Sequence, residues 1–499
     1  MNGGSPGADA QPLGVLESSG LIRLAATHPE LEYVFRHVLV QDAAYDTLLK
    51  QERRRLHVAV AETLEALYPA RLDELAAMLA WHYQNAEETE RALPWLILAG
   101  HHALRRYANA EAFSFFERAG ELSPAGDEPA LVRQRIAIAL GKARSGWLYR
   151  PPSELLGYVQ AVAEEAETLG DPQLLAQVQL RMAMIQWQRG DAYVDGTDMK
   201  QSLDRALALA SSVDDREIQG MALTILGRST LLSSDPRRSA EALERAIALT
   251  EGHDFIGTSL AADTLGVAYG KLGQFDKADH AIRRAHELAQ RSGDPTAMLD
   301  ADLSASAIEA ERGNLQASVE LARSGALRAE ALGAVACSVF ANFLTGSAEL
   351  ALGRPDRAVP FLEASRALGR EHRMEMWMDA TNASISSAQC SLGDVEAART
   401  GWQEALEAAR NKGDSGLEAT ILYQRAHALS TTPHADWEAI LADLGASVAL
   451  SKELGTKPRE AMALRDSAAV LDRLGRSGEA GAARAKADTL VGEMGIATA

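Results

Sequence analysis

The sequence predicts an all-α fold, a right-handed α-solenoid of stacked helical hairpins. Three observations carry this expectation. A chain of 499 residues exceeds what one hydrophobic core can hold, so it forms either several domains or an elongated array. Hydrophobic residues make up 47% of it but aromatics only 5%. Its apolar surface is therefore mostly alanine and leucine, which pack helices closely at low entropic cost. Finally, the phrase LGQFDKA at Leu272 to Ala278 recurs as RGNLQAS from Arg312, LGRPDRA from Leu352 and LGDVEAA from Leu392. Gly273, Gly313, Gly353 and Gly393 thus follow one another at steps of 40 residues. A weaker copy, LGRSGEA, begins at Leu474. A fixed period of this length marks a repeat array and decides against separate domains.

A second set of glycines falls between these: Gly170, Gly293, Gly333, Gly413 and Gly455. Each closes an amphipathic run and reads as the residue just past a helix end, in the left-handed conformation, with Asp or Pro helping to start the next helix. The pattern gives roughly eight or nine hairpins. Within one hairpin, Leu265, Gly266, Tyr269, Ala278, Ile282 and Ala285 stand at the spacings of the tetratricopeptide signature, and the array resembles that family. The physical reason is close approach of the two helices. The matching columns stay small: Gly266, Ser306, Gly346 and Ser386 on the first helix, Ala285, Gly325, Ser365 and Ala405 on the second. A period of 40 residues against the usual value of about 34 makes the helices longer by about a turn.

The resemblance implies a concave face lined by first helices, a groove for a peptide or a helix. The groove positions map to Asp263, Lys271, Glu311, Phe343, Ser347, Asn382 and Ser387. They lack the repeated Lys and Arg that would clamp a carboxylate or phosphate. Asn342 and Asn382 share one register, which reads first as an interhelical hydrogen bond and otherwise as a ligand contact.

The N-terminal quarter departs from the repeat. LGVLESSGLIRLAATHPELEYVFRH reads as a helix end, a strand at Leu21 to Ala25, a turn at Thr27 to Glu30 and a strand at Tyr33 to Phe35. Helices are expected at Val38 to Lys50 and Arg53 to Leu67. The organisation that follows is a disordered start over residues 1–12, a winged-helix remnant over 13–36, a helical linker with the first hairpins over 37–125, and the superhelix over 126–499.

The string FRHVLVQDAAYDTLLKQERRRLHVAVAETLEAL resembles the segment after the nucleotide-binding module of bacterial signal-transduction (STAND-type) ATPases. These are multidomain proteins that also bear adenylate or guanylate cyclase or transcription-regulator domains. Arg55-Leu56-His57, Leu79 to Tyr83 and Ala92 to Ala103 match three further phrases of that family. By the same resemblance His37, beside Arg36, corresponds to a sensor histidine that contacts the nucleotide in related ATPases. The Asp of that family's Met-His-Asp motif is replaced here by Val38, while Asp42 matches a later acidic position. The alternative role for His37 is to hold the wing against the next helix.

Charge and motifs narrow the function. A net charge of −19 repels phosphate backbones and anionic lipid, so neither nucleic acid nor membrane is an expected partner. The first eleven residues lack a secretory pattern, and no apolar run approaches a membrane span. Cys337 and Cys390 form no CxxC and have no His at ligand spacing, so they are expected as small core residues of a reduced, cytoplasmic protein without metal or cofactor. Gly141-Lys142 is followed by Ala143 and Gly270-Lys271 by Leu272. No GxxxxGK[ST] phosphate loop exists, and HExxH and GxSxG are missing too. The expected function is a non-catalytic protein-interaction module, the regulatory arm of an ATPase or cyclase system, with a protein or peptide in its groove. The alternative is a free-standing scaffold without a nucleotide link.

Overall fold

The structure is a computed structural model that describes residues 10–27, 32–191, 197–232 and 235–496. The disordered start expected for the first residues and most of the Thr27 to Glu30 turn lie outside the described residues. The chain divides into two compact units, residues 1–123 and 124–499.

In the first unit, the helix Ala10–Ser18 precedes an antiparallel pair of strands, Ile22–Ala26 and Glu32–Phe35, in which Ile22 faces Phe35 and Leu24 faces Tyr33. The short helix Val38–Asp46 follows, then Lys50–Leu67, Leu72–Asn85, Thr89–Arg105 and Asn109–Leu122. The helix expected to reach Lys50 ends at Asp46, because Leu49 turns extended and its N–H donates to Glu52 Oε2 at 3.3 Å, opening the next helix. The motif phrases build this unit's core. Ala61, Leu79, Tyr83 and Ala92 pack together. The Tyr83 hydroxyl donates to Glu65, and Arg91 donates to that hydroxyl at 2.6 Å and to Glu62 at 2.9 Å.

The second unit begins with Pro129–Ser145, Pro152–Gln160 and Ala163–Leu169. Eight hairpins follow among the described residues: Pro172–Arg189 with Asp198–Ser212, Arg216–Leu232 with Pro236–Thr250, Phe255–Lys271 with Phe275–Ser292, Pro295–Arg312 with Leu315–Leu332, Val335–Ala351 with Pro355–Glu371, Met378–Ser391 with Val395–Asn411, Ser415–Ser430 with Trp437–Leu454, and Lys457–Arg473 with Ser477–Glu493. This is the tetratricopeptide-like α-solenoid that the repeats predict. The punctuation acts as expected: Gly293 ends its helix at φ 70°, and Asp294 caps the next by accepting from the Thr296 and Ala297 N–H groups.

First helices of successive hairpins pack on one another along the whole array, whereas among the described residues second helices share no comparable run of contacts. The array therefore curves with the first helices inside. The small-residue columns explain the tightness of each hairpin. A Cβ on Gly346 would lie 2.6 Å from Leu362 Cγ and one on Gly266 2.9 Å from Ile282 Cγ1, while Ser306 Oγ donates to the Ser318 carbonyl at 2.9 Å. Gly346→Val is expected to lower stability by about 1–3 kcal/mol through overpacking. A urea midpoint unchanged from the parent chain would contradict this account of the columns.

The curve is tight enough to bring the array back on itself. The helix Lys457–Arg473 touches Phe255–Lys271 and Pro295–Arg312. Val491 and Met494 share one cluster with Leu272 and Phe275.

Candidate functional site

Five consecutive first helices of the second unit bring polar and aromatic side chains to one place on the inner face. Pro172–Arg189 contributes Trp187, Arg216–Leu232 contributes Arg228, Phe255–Lys271 contributes Asp263 and Thr264, Pro295–Arg312 contributes Asp300, and Val335–Ala351 contributes Cys337. Arg228 Nη2 reaches Asp263 Oδ1 and Oδ2 at 3.2 and 3.3 Å and Asp300 Oδ2 at 3.7 Å. Arg228 Nε donates to Thr264 Oγ1 at 3.1 Å, and the guanidinium carbon stands 5.5 Å from the Trp187 ring centre. Thr264 Oγ1 also donates to Asp263 Oδ1 at 2.7 Å. Cys337 Sγ lies 3.5 Å from Asp300 Oδ1.

The centre is largely buried: Asp263 is 1% exposed, with Arg228 and Asp300 partly so. Two carboxylates share one guanidinium there, and burial disfavours their charged forms. Asp263 is pushed up to about 7, chiefly by burial, against the pull of Arg228. Asp300 is raised for the same first reason. Burial works against the Arg228 charge as well, but the two carboxylates outweigh it and hold the guanidinium above its ordinary value. Burial, then Asp300, raises the Cys337 thiol far above its usual range, which leaves it a protonated donor and not a nucleophile. Among the described residues no group of three or more His, Cys, Asp or Glu is placed to hold a metal ion.

Two segments outside the hairpin helices cover this centre. The turn after Pro129–Ser145 packs Trp147 against clusters around Trp187 and around Ile136, and Leu148 against the cluster of Leu299, Leu303 and Leu344. From the other side, the connection of residues 372–377 packs Met376 beside Trp187 and Ile225. It stacks Trp377 on Phe340 at 4.5 Å between ring centres. The Glu375 N–H donates to the Arg189 carbonyl at 3.3 Å. Arg373 and Trp377 both take positive φ, 52° and 63°, a strain that persists only where packing enforces it.

The sequence-derived groove residues divide in this setting. Asp263 sits in the charge centre. Lys271 and Glu311 pair with each other at 3.4 Å across adjacent first helices. Phe343 is half-buried against the cluster of Leu299, Leu303 and Leu344. Ser347 Oγ lies 3.5 Å from Ser384 Oγ. Ser387 is turned into its own hairpin, where it donates to the Ala383 carbonyl at 3.0 Å and accepts from Trp402 Nε1 at 3.1 Å. Asn382 lines a separate cavity of about 200 Å³ with Arg366, Asp379 and Glu404. The interhelical bond expected for the asparagine register is corrected for Asn342: its side chain donates at 2.8 Å to Ser338 of its own helix, because that carbonyl lies one turn back on the same face.

In the first unit, Arg36 and His37 are both exposed. His37 supplies a backbone carbonyl to the Val40 N–H at the start of Val38–Asp46, and no side-chain cap forms. Another histidine lies at the heart of this unit. His57 is 6% exposed; its Nε2 meets the Tyr45 hydroxyl at 3.0 Å and its Nδ1 meets His82 Nδ1 at 3.0 Å. Burial lowers both histidines, and His57 lowers His82 further. Below the ordinary value of 6.5 the unfolded chain takes up protons that the folded pair resists, so stability falls as pH drops through that window. From pH 7.5 to 5.5, the protection factors of the Lys50–Leu67 amides, corrected for the intrinsic pH dependence of exchange, are expected to fall; unchanged protection factors would refute the coupling.

No family model matches the chain, and no curated protein matches its sequence. Solved structures do match its fold. A Rap protein complexed with competence and sporulation factor aligns with a TM-score of 0.55 at 11% identity, over 74% of this chain and 99% of that one. The apo quorum sensor NprR from B. thuringiensis aligns at 0.44 and 14%, over 72% and 99%. A STAND protein with a tetratricopeptide repeat sensor from Pyrococcus horikoshii aligns at 0.40 and 12%, over 84% and 73%. At such identities the likeness is one of fold, and the first of the three carries it. Among the described residues no helix is long and apolar enough to cross a membrane.

Proposed function

We propose that the chain is a non-catalytic, cytoplasmic regulatory module. Its second unit recognises a protein or peptide on the inner face, and its first unit engages an ATPase or cyclase partner. The observation that carries the reading is the convergence of Trp187, Arg228, Asp263 and Asp300 from four successive first helices onto one inner site. A solenoid needs no such centre for stability, because a buried ion pair is a weak source of it. Directional charge on an inner face suits recognition. The Rap likeness supports a bound partner on this fold, since that protein is complexed with competence and sporulation factor.

For the first unit, support comes from its surface. Val15, Val38, Leu39, Leu49 and Leu67 are each more than 60% exposed, and apolar side chains gathered on one small unit mark an interaction site. A regulatory arm biases its partner by contacting one of the partner's states better than the other. Affinity capture with the full chain and with a chain carrying Leu39→Glu and Leu49→Glu tests the reading. An ATPase or cyclase retained by the first and lost by the second supports it. Identical sets of unrelated proteins would leave the free-standing scaffold.

A further inference from the structure

The covering turn at Trp147 and Leu148 carries its own meaning. It belongs to neither flanking helix, since Pro129–Ser145 ends before it and Pro152–Gln160 begins after it. Locally it is held by the Gly146 carbonyl, which accepts from the Tyr149 and Arg150 N–H groups at 3.1 and 2.8 Å. Its other backbone bonds reach far along the chain. The Trp147 carbonyl accepts from Gln188 Nε2 at 2.8 Å. The next carbonyl, of Leu148, accepts at 3.0 Å from the Val335 N–H at the start of Val335–Ala351, which also reaches the Gly333 carbonyl at 3.1 Å. Two consecutive carbonyls are thus read by donors on the first and fifth hairpins, with an aromatic socket at one and an aliphatic socket at the other. Donors to backbone carbonyls, with pockets for the flanking side chains, are a means of recognising a peptide.

The site also keeps unmet polar capacity while the turn is in place. Among the described residues Trp187 Nε1, Gln186 Oε1 and Gln188 Oε1 find no hydrogen-bond partner, and the three residues are 7%, 1% and 2% exposed. Buried polar atoms are seldom left so. The internal turn offers Gln188 a carbonyl but meets no need of its Oε1. A peptide backbone presents N–H and carbonyl groups together and can serve both ends of that amide.

We propose that the inner face of the second unit is a site for a peptide that presents, in a tight turn, an aromatic residue followed by an aliphatic one, and that Trp147-Leu148 occupies it as an internal competitor. The inference rests on the inner-face reading above and gives it a ligand class and a means of regulation. A ligand then binds by displacing the turn, and its apparent affinity is reduced by the fraction of time the turn is seated.

The test uses the full chain and a fluorescein-labelled synthetic peptide of the chain's own sequence SGWLYR, Ser145 to Arg150, followed by anisotropy. The variant Trp147→Ala with Leu148→Ala, shown folded by circular dichroism, is expected to bind the peptide at least about tenfold more tightly than the parent chain. A peptide with Ser at the Trp and Leu positions is expected to bind neither. Equal binding to both proteins, or no binding to a folded variant, overturns the proposal. Should the variant fail to fold, the parent chain is exposed to excess peptide carrying a benzophenone amino acid in place of Trp. Crosslinks in Pro172–Arg189 and Val335–Ala351 support the site; crosslinks elsewhere, or none, overturn it. Because the probe is the chain's own segment, failure here leaves partner capture by the first unit untouched, and failure of that capture leaves this result standing.

Discussion

Arg228→Met is expected to destabilise the second unit by about 3–5 kcal/mol at neutral pH, the usual cost of removing one partner from a buried ion pair. Methionine fills much of the same volume, so the loss is electrostatic. It leaves Asp263 and Asp300 facing each other without the cation that now draws both down. The penalty depends on pH in a defined direction. In the parent chain Asp263 titrates near 7, against an ordinary value of 3.8. Between those values the folded chain holds a proton that the unfolded chain has released, so stability falls as pH rises through the window. His286 and His427, raised first by the hydrogen bonds they donate to Asp302 and Asp466, act in the same sense: the stability they add below the ordinary histidine value is lost as pH climbs past their folded values. Without Arg228 both carboxylates move further up, and the cost becomes largest in base. Thermal unfolding at pH 5 and pH 8 measures it. Arg228→Met should lose more at pH 8 than at pH 5, and adding Asp263→Asn should recover part of the difference. Equal losses at the two pH values would mean that the centre is held by packing alone.

That centre shows where sequence reading stops. The hairpins are legible because their punctuation is local: a left-handed glycine and an aspartate cap lie within a few residues of each helix end, and their spacing repeats. The small columns are legible for the same reason, since Gly266 and Gly346 stand in one register at 40-residue steps. The charge centre follows a different step. Asp263, Asp300 and Cys337 are spaced by 37 residues, three short of the repeat, so each sits about one turn nearer the start of its helix than the last. Columns compared at 40 residues place Asp263 beside Leu303 and never beside Asp300. Arg228 interrupts the stretch Gly220 to Leu232, whose other residues are all apolar or hydroxyl-bearing, and that was a usable signal. The covering turn left less trace, because its contacts join Leu148 to Val335 and nothing near either residue records the pairing. The six residues from His372 to Trp377, against two or three at most other connections, gave a hint of a structural insertion but not of its target. In the first unit the reverse holds. His57, His82 and Tyr83 were visible as motif residues, yet only their packing shows that they join helices.

The second large effect is expected at Trp402, the bulkiest fully buried side chain described. Its neighbours are mostly small: Ala383, Cys390, Ala398, Ala405 and Ala409, with Leu406, Ile421 and Leu422 beyond. Alanines on rigid helices cannot move in to fill a vacated indole, so Trp402→Ala leaves a cavity that persists and should cost about 3–5 kcal/mol. Trp402→Phe separates packing from hydrogen bonding. It removes the Nε1 donor, but Ser387 Oγ still donates to the Ala383 carbonyl, so no group is stranded and the cost should stay near 1 kcal/mol. Where the damage spreads is the sharper question. In an open array each hairpin contacts only its neighbours, and unfolding stays local. Here the last hairpin returns to the third through Met494 and Leu272, so the far side of Trp402 is anchored as well. Hydrogen exchange on Trp402→Ala should therefore show faster amides in Met378–Ser391, Val395–Asn411 and Ser415–Ser430, with Lys457–Arg473 and Phe255–Lys271 unchanged. Loss of protection running from residue 378 through to the C-terminal helix would mean that the returning contact is too weak to pin the end of the array.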